Sequence, residues 1–422
     1  MHFALAAIIF LASVIAIIVR PRRLGEAWSA GAGAVLMVLA GALSLQSAVQ
    51  AISAEWNLFL FFLGLMLTAA VADMAGFFDW AAGLAVAAAG GSGRRLLLNV
   101  LALGALVTTF LSNDAAAVIL TPVVYTVATR LRVRVMPYLF AVSFIANAAS
   151  MTLPISNPIN VLTGDRLRAP LAVYEGHLLL ASLASVAITI AVFMALFWRT
   201  TATRFAGFAA ESAGIRDARF FRAVLAGMCL LALAYIAGSA MLLPLGVIAI
   251  TGASMLLAMA AAMRRLSTEH IRAHVSPTLF VYIAALFVLV RGVQDAGITT
   301  ALISGVVSVA ATSATAVASG LAGSAVACNA LNNLPGILVF LSGAQTGGVP
   351  PALREPFLFG ALAGADLGPN LTPVGALSTM LWLVIVRRRG LEVSAWDFLR
   401  IGAIVAPLTL VAAGVLIALS FR

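Results

Sequence analysis

Apolar runs long enough to cross a lipid bilayer recur along almost the whole chain, and this pattern restricts the fold more than any other feature. A helix needs about 20 apolar residues to span the hydrocarbon core. Only 9% of the 422 residues are charged, whereas a soluble domain has about 25%. The sequence therefore predicts an all-α polytopic membrane protein with ten spans, at about 3–19, 28–45, 56–76, 137–164, 175–198, 221–238, 245–263, 277–297, 357–386 and 402–420.

Two further apolar stretches, 96–129 and 300–343, are interrupted by polar residues near the middle. Irregular backbone at membrane depth is tolerated only where it is buried in protein or lines a cavity. We expect each stretch to form a re-entrant helical hairpin that enters and leaves the membrane on the same side.

The arginines predict how the spans are oriented. The sequence contains no lysine, so all 25 basic residues are arginine. Alternating the ten spans places twenty arginines on one side and four on the other, with Arg291 inside a span. Positive loops remain in the cytoplasm, so both termini are predicted to lie outside it. We expect the chain to lie in a bacterial inner membrane, surrounded by lipid. The cytoplasmic set is Arg20, Arg22, Arg23, Arg94, Arg95, Arg130, Arg132, Arg134, Arg199, Arg204, Arg216, Arg219, Arg222, Arg264, Arg265, Arg272, Arg387, Arg388, Arg389 and Arg400, and the outer set is Arg166, Arg168, Arg354 and Arg422.

Internal similarity indicates two copies of one structural unit. Landmarks recur at a nearly constant offset, as from Phe59 to Phe280 and from Asn113 to Asn333. Residues 1–198 and 217–422 are the two predicted repeats, and 199–216 is a basic cytoplasmic linker. Each copy has five spans and one hairpin, so it crosses an odd number of times and the copies must be inverted. Inverted repeats with broken helices are typical of secondary transporters.

Several classes of function are excluded by the residues present. Without lysine, neither a Walker A loop nor a Schiff-base site can form. The longest hydrophilic loop, at about 199–220, is too short for a catalytic domain, and Cys229 and Cys328 provide neither a disulfide framework nor a cysteine metal site. We therefore expect no enzyme, no cofactor, no metal site and no nucleic-acid partner.

Polar and helix-breaking residues cluster at four equivalent places in the two copies. Two clusters lie in the hairpins, and two follow Asn147 and Asp366 in spans that also contain paired prolines. Proline removes an amide donor and breaks the helix, which exposes carbonyls and half-helix ends as ligand groups. We predict a substrate site at the middle of the membrane, lined by Asn113, Asn147, Ser156, Asn157, Asn332, Asn333, Asn370 and Thr372.

Two acids, Asp114 and Asp366, fall at membrane depth beside these clusters. Intramembrane carboxylates are rare, costly and usually functional. We predict that they couple transport to protons. Asp73 and Asp295 lie nearer the span ends, and Arg291 is spaced to pair with Asp295 on one helix face.

These residues resemble a known family. Two hairpins with Ser/Asn tips, two broken helices and an inverted repeat are the pattern of the ion-transporter superfamily. Within it, the sequence is similar to the ArsB-type arsenite/antimonite efflux permeases over essentially its whole length. The most recognisable stretches are 77–82, 110–114, 154–160, 331–335 and 366–375. Dicarboxylate carriers of the superfamily have Ser-Asn-Thr at both tips, whereas this chain has Asp114 and Leu334 in the third positions. The acid at the first tip replaces a hydroxyl of the sodium-coupled carriers, which argues against an anionic substrate.

The resemblance implies export of arsenite or antimonite in exchange for protons by alternating access, assisted in some systems by a separate ATPase subunit. The trivalent acids are small neutral hydroxides at neutral pH, and amides and hydroxyls can bind such molecules without net charge. A sodium–proton antiporter that uses the same acids as cation ligands is the alternative. A passive channel for neutral solutes and a scaffold subunit without transport are further alternatives.

Overall fold

The computed structural model describes residues 2–19, 25–205, 215 and 217–422. Across these ranges the chain is helical, and no β-strand is present apart from an isolated bridge between Ser92 and Arg204. Arg20, Arg22, Arg23 and Arg216 lie outside the described residues, as do residues 206–214 of the predicted linker.

Twenty-one α-helices are present within the described ranges. Those before the predicted linker are α1 (His2–Val19), α2 (Glu26–Leu39), α3 (Leu45–Ser53), α4 (Trp56–Met74), α5 (Phe77–Ala89), α6 (Gly93–Phe110), α7 (Asn113–Ala115), α8 (Thr121–Arg130), α9 (Met136–Ala148), α10 (Pro158–Leu167) and α11 (Leu171–Phe197). Those after it are α12 (Ala218–Ala240), α13 (Leu245–Ala262), α14 (Thr268–His274), α15 (Pro277–Asp295), α16 (Ile298–Val307), α17 (Ser313–Leu331), α18 (Asn333–Gln345), α19 (Pro351–Leu367), α20 (Leu377–Arg388) and α21 (Ala395–Ser420).

Eight helical segments of the described chain are long and apolar enough to cross a membrane: α4, α6, α11, α12, α13, α14–α15, α17 and α21. Six of them coincide with predicted spans, and α6 and α17 are the first arms of the interrupted stretches. The other predicted spans correspond to the shorter helices α1 and α2 and to two interrupted pairs, α9–α10 and α19–α20. The total of ten crossings stays a prediction.

Each interrupted stretch contains a helix break at its polar residues. In the first, α6 ends at Phe110, and α7 begins with Ser112 as its N-cap, whose hydroxyl accepts the Ala115 amide at 3.0 Å. A π-helical segment, Ala116–Leu120, then leads into α8. In the second, α17 and α18 meet at Asn332, whose φ of 79° lies in a region that favours glycine. Each polar tip therefore lies at a break between two helices, and the re-entrant hairpins stay a prediction.

Helices at equivalent positions of the two predicted halves make reciprocal contacts. Helix α4 packs against α13, and α15 packs against α2. Helix α20 contacts α7, and α10 contacts α18. Helices α11 and α21 pack against each other. Two copies of one unit related by an approximate two-fold axis would make such reciprocal contacts, and the inverted repeat itself stays a prediction.

Three charged contacts join segments that are predicted to lie on the same side of the membrane. Arg94 stacks over Trp198 at 3.8 Å, at the predicted cytoplasmic end of the span 175–198. Arg265 pairs with Asp217 at 2.9 Å, and both lie on predicted cytoplasmic segments. Arg166 pairs with Glu55 on predicted outer segments. Asp217 also caps α12, and hydrogen bonds from the Phe220 and Arg219 amides, together with Arg265, lower the pKa of its carboxyl.

Helices α17 and α19 approach each other along a row of glycines. Gly360, Gly364 and Gly368 recur every four residues and so share one face. A Cβ on Gly360 would overlap the carbonyl oxygen of Val317, and a Cβ on Gly364 would overlap that of Leu321. This is the small-residue packing that brings helix backbones together in membranes. We call Gly360, Gly364 and Gly368 the glycine row.

Replacing a member of this row should loosen the contact. We expect Gly364→Ala to lower the free energy of unfolding by about 1–3 kcal/mol, the usual cost of overpacking, because its methyl group would overlap the Leu321 carbonyl and the Ser324 hydroxyl. Thermal unfolding of the purified protein in detergent measures the change. Gly176→Ala on α11 is the control, since open space surrounds that position. Equal melting temperatures for the two variants would contradict the proposed packing.

Candidate functional site

The first break separates α9 from α10. Helix α9 ends at Ala148, and the chain passes through turn residues and a 3₁₀ turn, Pro154–Ser156, before α10 begins at Pro158. Both prolines begin a helical segment, where a missing amide donor costs least. Asn157 caps α10, since its Oδ1 accepts the Ile159 amide at 3.3 Å.

The second break follows Asp366, the penultimate residue of α19. A 3₁₀ turn, Gly368–Asn370, continues α19, and α20 begins only at Leu377. Pro369 lies within that turn, and Pro373 lies between it and α20. The backbone from residue 371 to residue 376 is therefore free of regular helix, and its last two residues are buried.

The two breaks meet at Asn147. Its amide donates to Oδ1 of Asn370 and to Oγ1 of Thr379, both at 3.1 Å. Its own Oδ1 accepts from the Ser378 hydroxyl at 3.2 Å, and the Asn113 amide donates to that hydroxyl at 3.4 Å. All five side chains are buried. We call Asn113, Asn147, Asn370, Ser378 and Thr379 the central amide cluster.

A second group, the Asp366 cluster, consists of Asp366, Ser150 and Asn157. Oδ1 of Asp366 accepts from the Ser150 hydroxyl at 2.5 Å and from the Asn157 amide at 2.7 Å. Oδ2 is buried and has no hydrogen-bond partner. Only 1% of the Asp366 surface is exposed, and no described arginine or histidine pairs with it. The carboxyl is thus surrounded by neutral groups.

Asp114 has a different environment. It is half-buried and lines a cavity of about 300 Å³, which we call the Asp114 cavity. No described residue forms an ion pair or hydrogen bond with its carboxylate. The cavity wall combines residues of the first tip and break with others of α2, α4, α14, α15 and α20, among them Ala27, Phe62, Leu65, Met66, Ser112, Val118, Pro158, His274, Ser276, Leu279 and Leu381.

A second cavity, of about 310 Å³, lies on the other side of the first break. Pro154, Asn160, Asp165 and Arg168 are among its lining residues, and we call it the Asn160 cavity. Pro158 lines the Asp114 cavity, whereas Asn160, only two residues later, lines this one. The start of α10 is therefore the partition between the two cavities.

The structure brings Asn113, Asn147, Asn157, Asn370 and Asp366 into these two clusters. The other predicted substrate-site residues make separate hydrogen bonds. The Ser156 hydroxyl donates to the Thr109 carbonyl at 3.0 Å and accepts the Leu153 amide at 3.1 Å. Thr372 donates to Oδ1 of Asn329 at 2.6 Å. The Asn332 amide donates to the Val374 carbonyl at 3.0 Å. The Asn333 carbonyl accepts from the Cys328 thiol at 3.8 Å.

Four polar residues in these networks were not predicted from the sequence: Ser150, Ser378, Thr379 and Asn329. Ser378 and Thr379 follow the second proline-rich break by about one turn, so their position at the restart of a helix was the available signal. Ser150 could have been found as the hydroxyl closest in sequence to the end of α9. Within the described ranges, no group of three or more His, Cys, Asp or Glu side chains could hold a metal ion.

Removing the centre of the amide cluster should destabilise the protein. Asn147→Ala deletes three side-chain hydrogen bonds and leaves buried partners unpaired, at a cost of about 1–3 kcal/mol for each unsatisfied group. We expect a clearly lower melting temperature in detergent. The control is Asn99→Ala, which deletes one half-buried bond to the Ala85 carbonyl. A melting temperature for Asn147→Ala no lower than that of the control would count against the network.

Solved transporter structures resemble this fold. The YdaH transporter of Alcanivorax borkumensis aligns with a TM-score of 0.58 at 15% identity, covering 88% of this chain and 87% of that one. MtrF of Neisseria gonorrhoeae, described as illuminating a class of antimetabolite efflux pumps, aligns with a TM-score of 0.52 at 11% identity over 99% and 94% of the two chains. At these identities the comparison shows a shared fold.

Sequence comparison is more specific. The arsenical pump membrane protein of Escherichia coli is 29% identical over 411 residues, and that of Yersinia enterocolitica is 28% identical over 410 residues. Both alignments cover 95% of each chain. The sequence model of the ArsB family, described as arsenical pump membrane protein, matches residues 5–420. The chain therefore belongs to the arsenical pump membrane protein family and is a membrane transporter of that family.

Proposed function

We propose that this transporter exports arsenite and antimonite from the cytoplasm in exchange for protons by alternating access. The observation that carries the proposal is Asp366, a buried carboxyl without a cation partner at the junction of the two breaks. A charge in such a place is too costly to remain uncompensated. A cation that neutralises the Asp366 carboxylate therefore has to arrive during the transport cycle, and the proton is the smallest such cation.

The central amide cluster suits a neutral polyhydroxy substrate. Asn147, Asn370, Ser378 and Thr379 provide donors and acceptors without net charge. The Oδ1 of Asn113 is buried and has no partner, so it is available to accept a hydrogen bond from a substrate hydroxyl. Arsenite and antimonite in their neutral trihydroxide forms would form hydrogen bonds with these side chains. Those bonds would replace the ones that now join the cluster members to each other.

The two cavities support alternating access. The Asp114 cavity is bordered by α14 and the start of α15, which adjoin the predicted cytoplasmic Arg264, Arg265 and Arg272. The Asn160 cavity is bordered by Arg168, which belongs to the predicted outer set. Each cavity thus reaches the first break from one predicted side. In the proposed cycle, substrate enters through the Asp114 cavity while protons enter from outside, and the partition at the start of α10 moves.

We extend the proposal to the architecture: two inverted repeats, 1–198 and 217–422, joined by 199–216, with ten crossings of the bacterial inner membrane and both termini outside the cytoplasm. The exchanged packing of the halves and the sidedness of the charged contacts support it. Large apolar side chains exposed on the outer helices, such as Leu180, Leu230 and Val411, would face lipid.

The two acids can be tested in inside-out vesicles. We expect Asp114→Asn and Asp366→Asn each to reduce arsenite accumulation driven by a proton gradient by at least about tenfold, because a step that needs an ionisable group is lost. Asp295→Asn is the control, since that carboxylate pairs with Arg291 at 2.8 Å on the same helix and is partly exposed. Wild-type accumulation in both test variants would remove these acids from the mechanism.

The same vesicles test the function as a whole. Accumulation by the wild-type protein should disappear when a protonophore is added. Sodium-driven proton movement that ignores arsenite would instead identify a sodium–proton antiporter. Arsenite flux that never runs against a gradient would identify a channel, and accumulation that requires ATP would identify a separate ATPase partner.

The orientation of the Asp114 cavity has its own test. In a protein without Cys229 and Cys328, Val118→Cys should react with a membrane-impermeant maleimide in inside-out vesicles and much less in right-side-out vesicles, because Val118 lines this cavity. Val124→Cys is the matched control, since Val124 is 3% exposed and lines no described cavity. Faster labelling of Val118→Cys from the outside would reverse the proposed orientation.

A further inference from the structure

The hydroxyl of Ser150 faces two acceptors. Its oxygen lies 2.5 Å from Oδ1 of Asp366 and 2.7 Å from the carbonyl oxygen of Asn147. A serine hydroxyl has a single hydrogen, so it can donate to only one of these oxygens at a time. The direction of that hydrogen must therefore depend on what else is bonded to Asp366.

Two hydrogen-bond arrangements are possible, and they differ by one proton. When Asp366 is ionised, Ser150 donates to the carboxylate, and the Asn147 carbonyl keeps only the Ser150 amide, at 3.3 Å. When Oδ1 of Asp366 carries a proton, that proton is donated to the Ser150 oxygen, and the serine hydrogen turns to the Asn147 carbonyl. The Asn157 amide, at 2.7 Å, donates to Oδ1 in both arrangements.

We propose that Ser150 is a positioning residue that transmits the protonation state of Asp366 to the backbone of Asn147. The inference rests on the proposed function and deepens it by naming the contact through which a proton changes the substrate site. No bond other than the O–H bond of Asp366 forms or breaks, and the serine hydrogen only changes its acceptor.

The position of Asn147 gives this change its effect. Its carbonyl lies in the last turn of α9, where intrahelical partners are missing. Its side chain holds Asn370, Ser378 and Thr379 together. A hydrogen bond gained or lost at this carbonyl therefore acts on the end of α9 that carries the centre of the amide cluster.

Among the ionisable groups of the described residues on the surrounding elements, Asp366 is the one that is hydrogen-bonded to the Ser150 hydroxyl. Of these, the Tyr174 hydroxyl and the Cys328 thiol interact electrostatically with Asp366, and neither is bonded to Ser150. The remaining groups on α19 and on the helices packed against it are Arg354, Glu355, Tyr138, Asp165, Arg166, Glu175, His177, Asp397 and Arg400.

The test is the pH dependence of arsenite uptake into inside-out vesicles. For Ser150→Ala, we expect the pH of half-maximal uptake to move upward by about one unit, because a lost hydrogen bond to a charged group changes an ionisation equilibrium about tenfold. The sign follows because Ser150 stabilises the ionised state, in which the transporter has released its proton. Ser150→Thr keeps the hydroxyl and should restore the wild-type profile.

The matched control is Ser185→Ala on α11, a buried serine that donates to the Ala181 carbonyl at 2.8 Å. We expect its pH profile to equal that of the wild type. An unshifted profile for Ser150→Ala would overturn the proposal. A shift in Ser150→Thr as large as that in Ser150→Ala would also overturn it, because packing rather than the hydroxyl would then be responsible.

A measurement without transport separates this inference from the proposed function. The melting temperature of purified Ser150→Ala should fall further below that of the wild type as the pH rises, because the ionised carboxylate loses a donor. In the Asp366→Asn background, the same substitution should produce no pH-dependent difference. A pH-independent difference in the Asp366 protein would overturn the role of Ser150, whereas failure of proton-driven uptake in the wild type would overturn the proposed function alone.

Discussion

The interior of this protein depends on one constraint, that irregular backbone away from water must have its polar groups satisfied by the protein itself. At each break, side chains from the other break provide part of these hydrogen bonds. The Asn370 amide donates to the Phe144 carbonyl at 3.3 Å, and the Asn147 amide returns a bond to Oδ1 of Asn370. The proposed substrate site, the buried acid and the partition between the cavities all lie at this mutual contact. Separating the breaks would leave several buried groups without partners at once.

The two intramembrane acids show how position changes the chemistry of one residue type. Asp114 lines a cavity, so water can bring protons to it. Asp366 has no such access and is bonded only to neutral groups. An acid in contact with water and an acid sealed behind a helix break perform different tasks in a proton-coupled cycle. The proposed exchange therefore requires both, one to communicate with solvent and one to register the result.

Much of this arrangement could be predicted from the sequence, because proline, asparagine and aspartate are conspicuous in apolar surroundings. The polar tips and breaks were predicted on this basis, and Asn147 and Asp366 lie where the two breaks meet. Ser150, Ser378 and Thr379 were missed, because serine and threonine are common in membrane helices. Their roles depend on hydrogen-bond partners that only the folded structure shows. The different settings of Asp114 and Asp366 were also beyond prediction, because burial depends on the packing of α4, α15 and α20 around the first tip.

The glycine row has a mechanical consequence. At the glycine row the backbones of α17 and α19 approach where any side chain would be excluded, so no side-chain layer separates the helices at these positions. In the first half, Gly104 of α6 faces the Ile145 side chain of α9, which can change rotamer and let the helices slide. We therefore expect this helix contact to be stiffer in the second half than the equivalent contact in the first. A displacement of the second break should therefore move α17 together with α19, because glycine has no side chain that could separate the two helices.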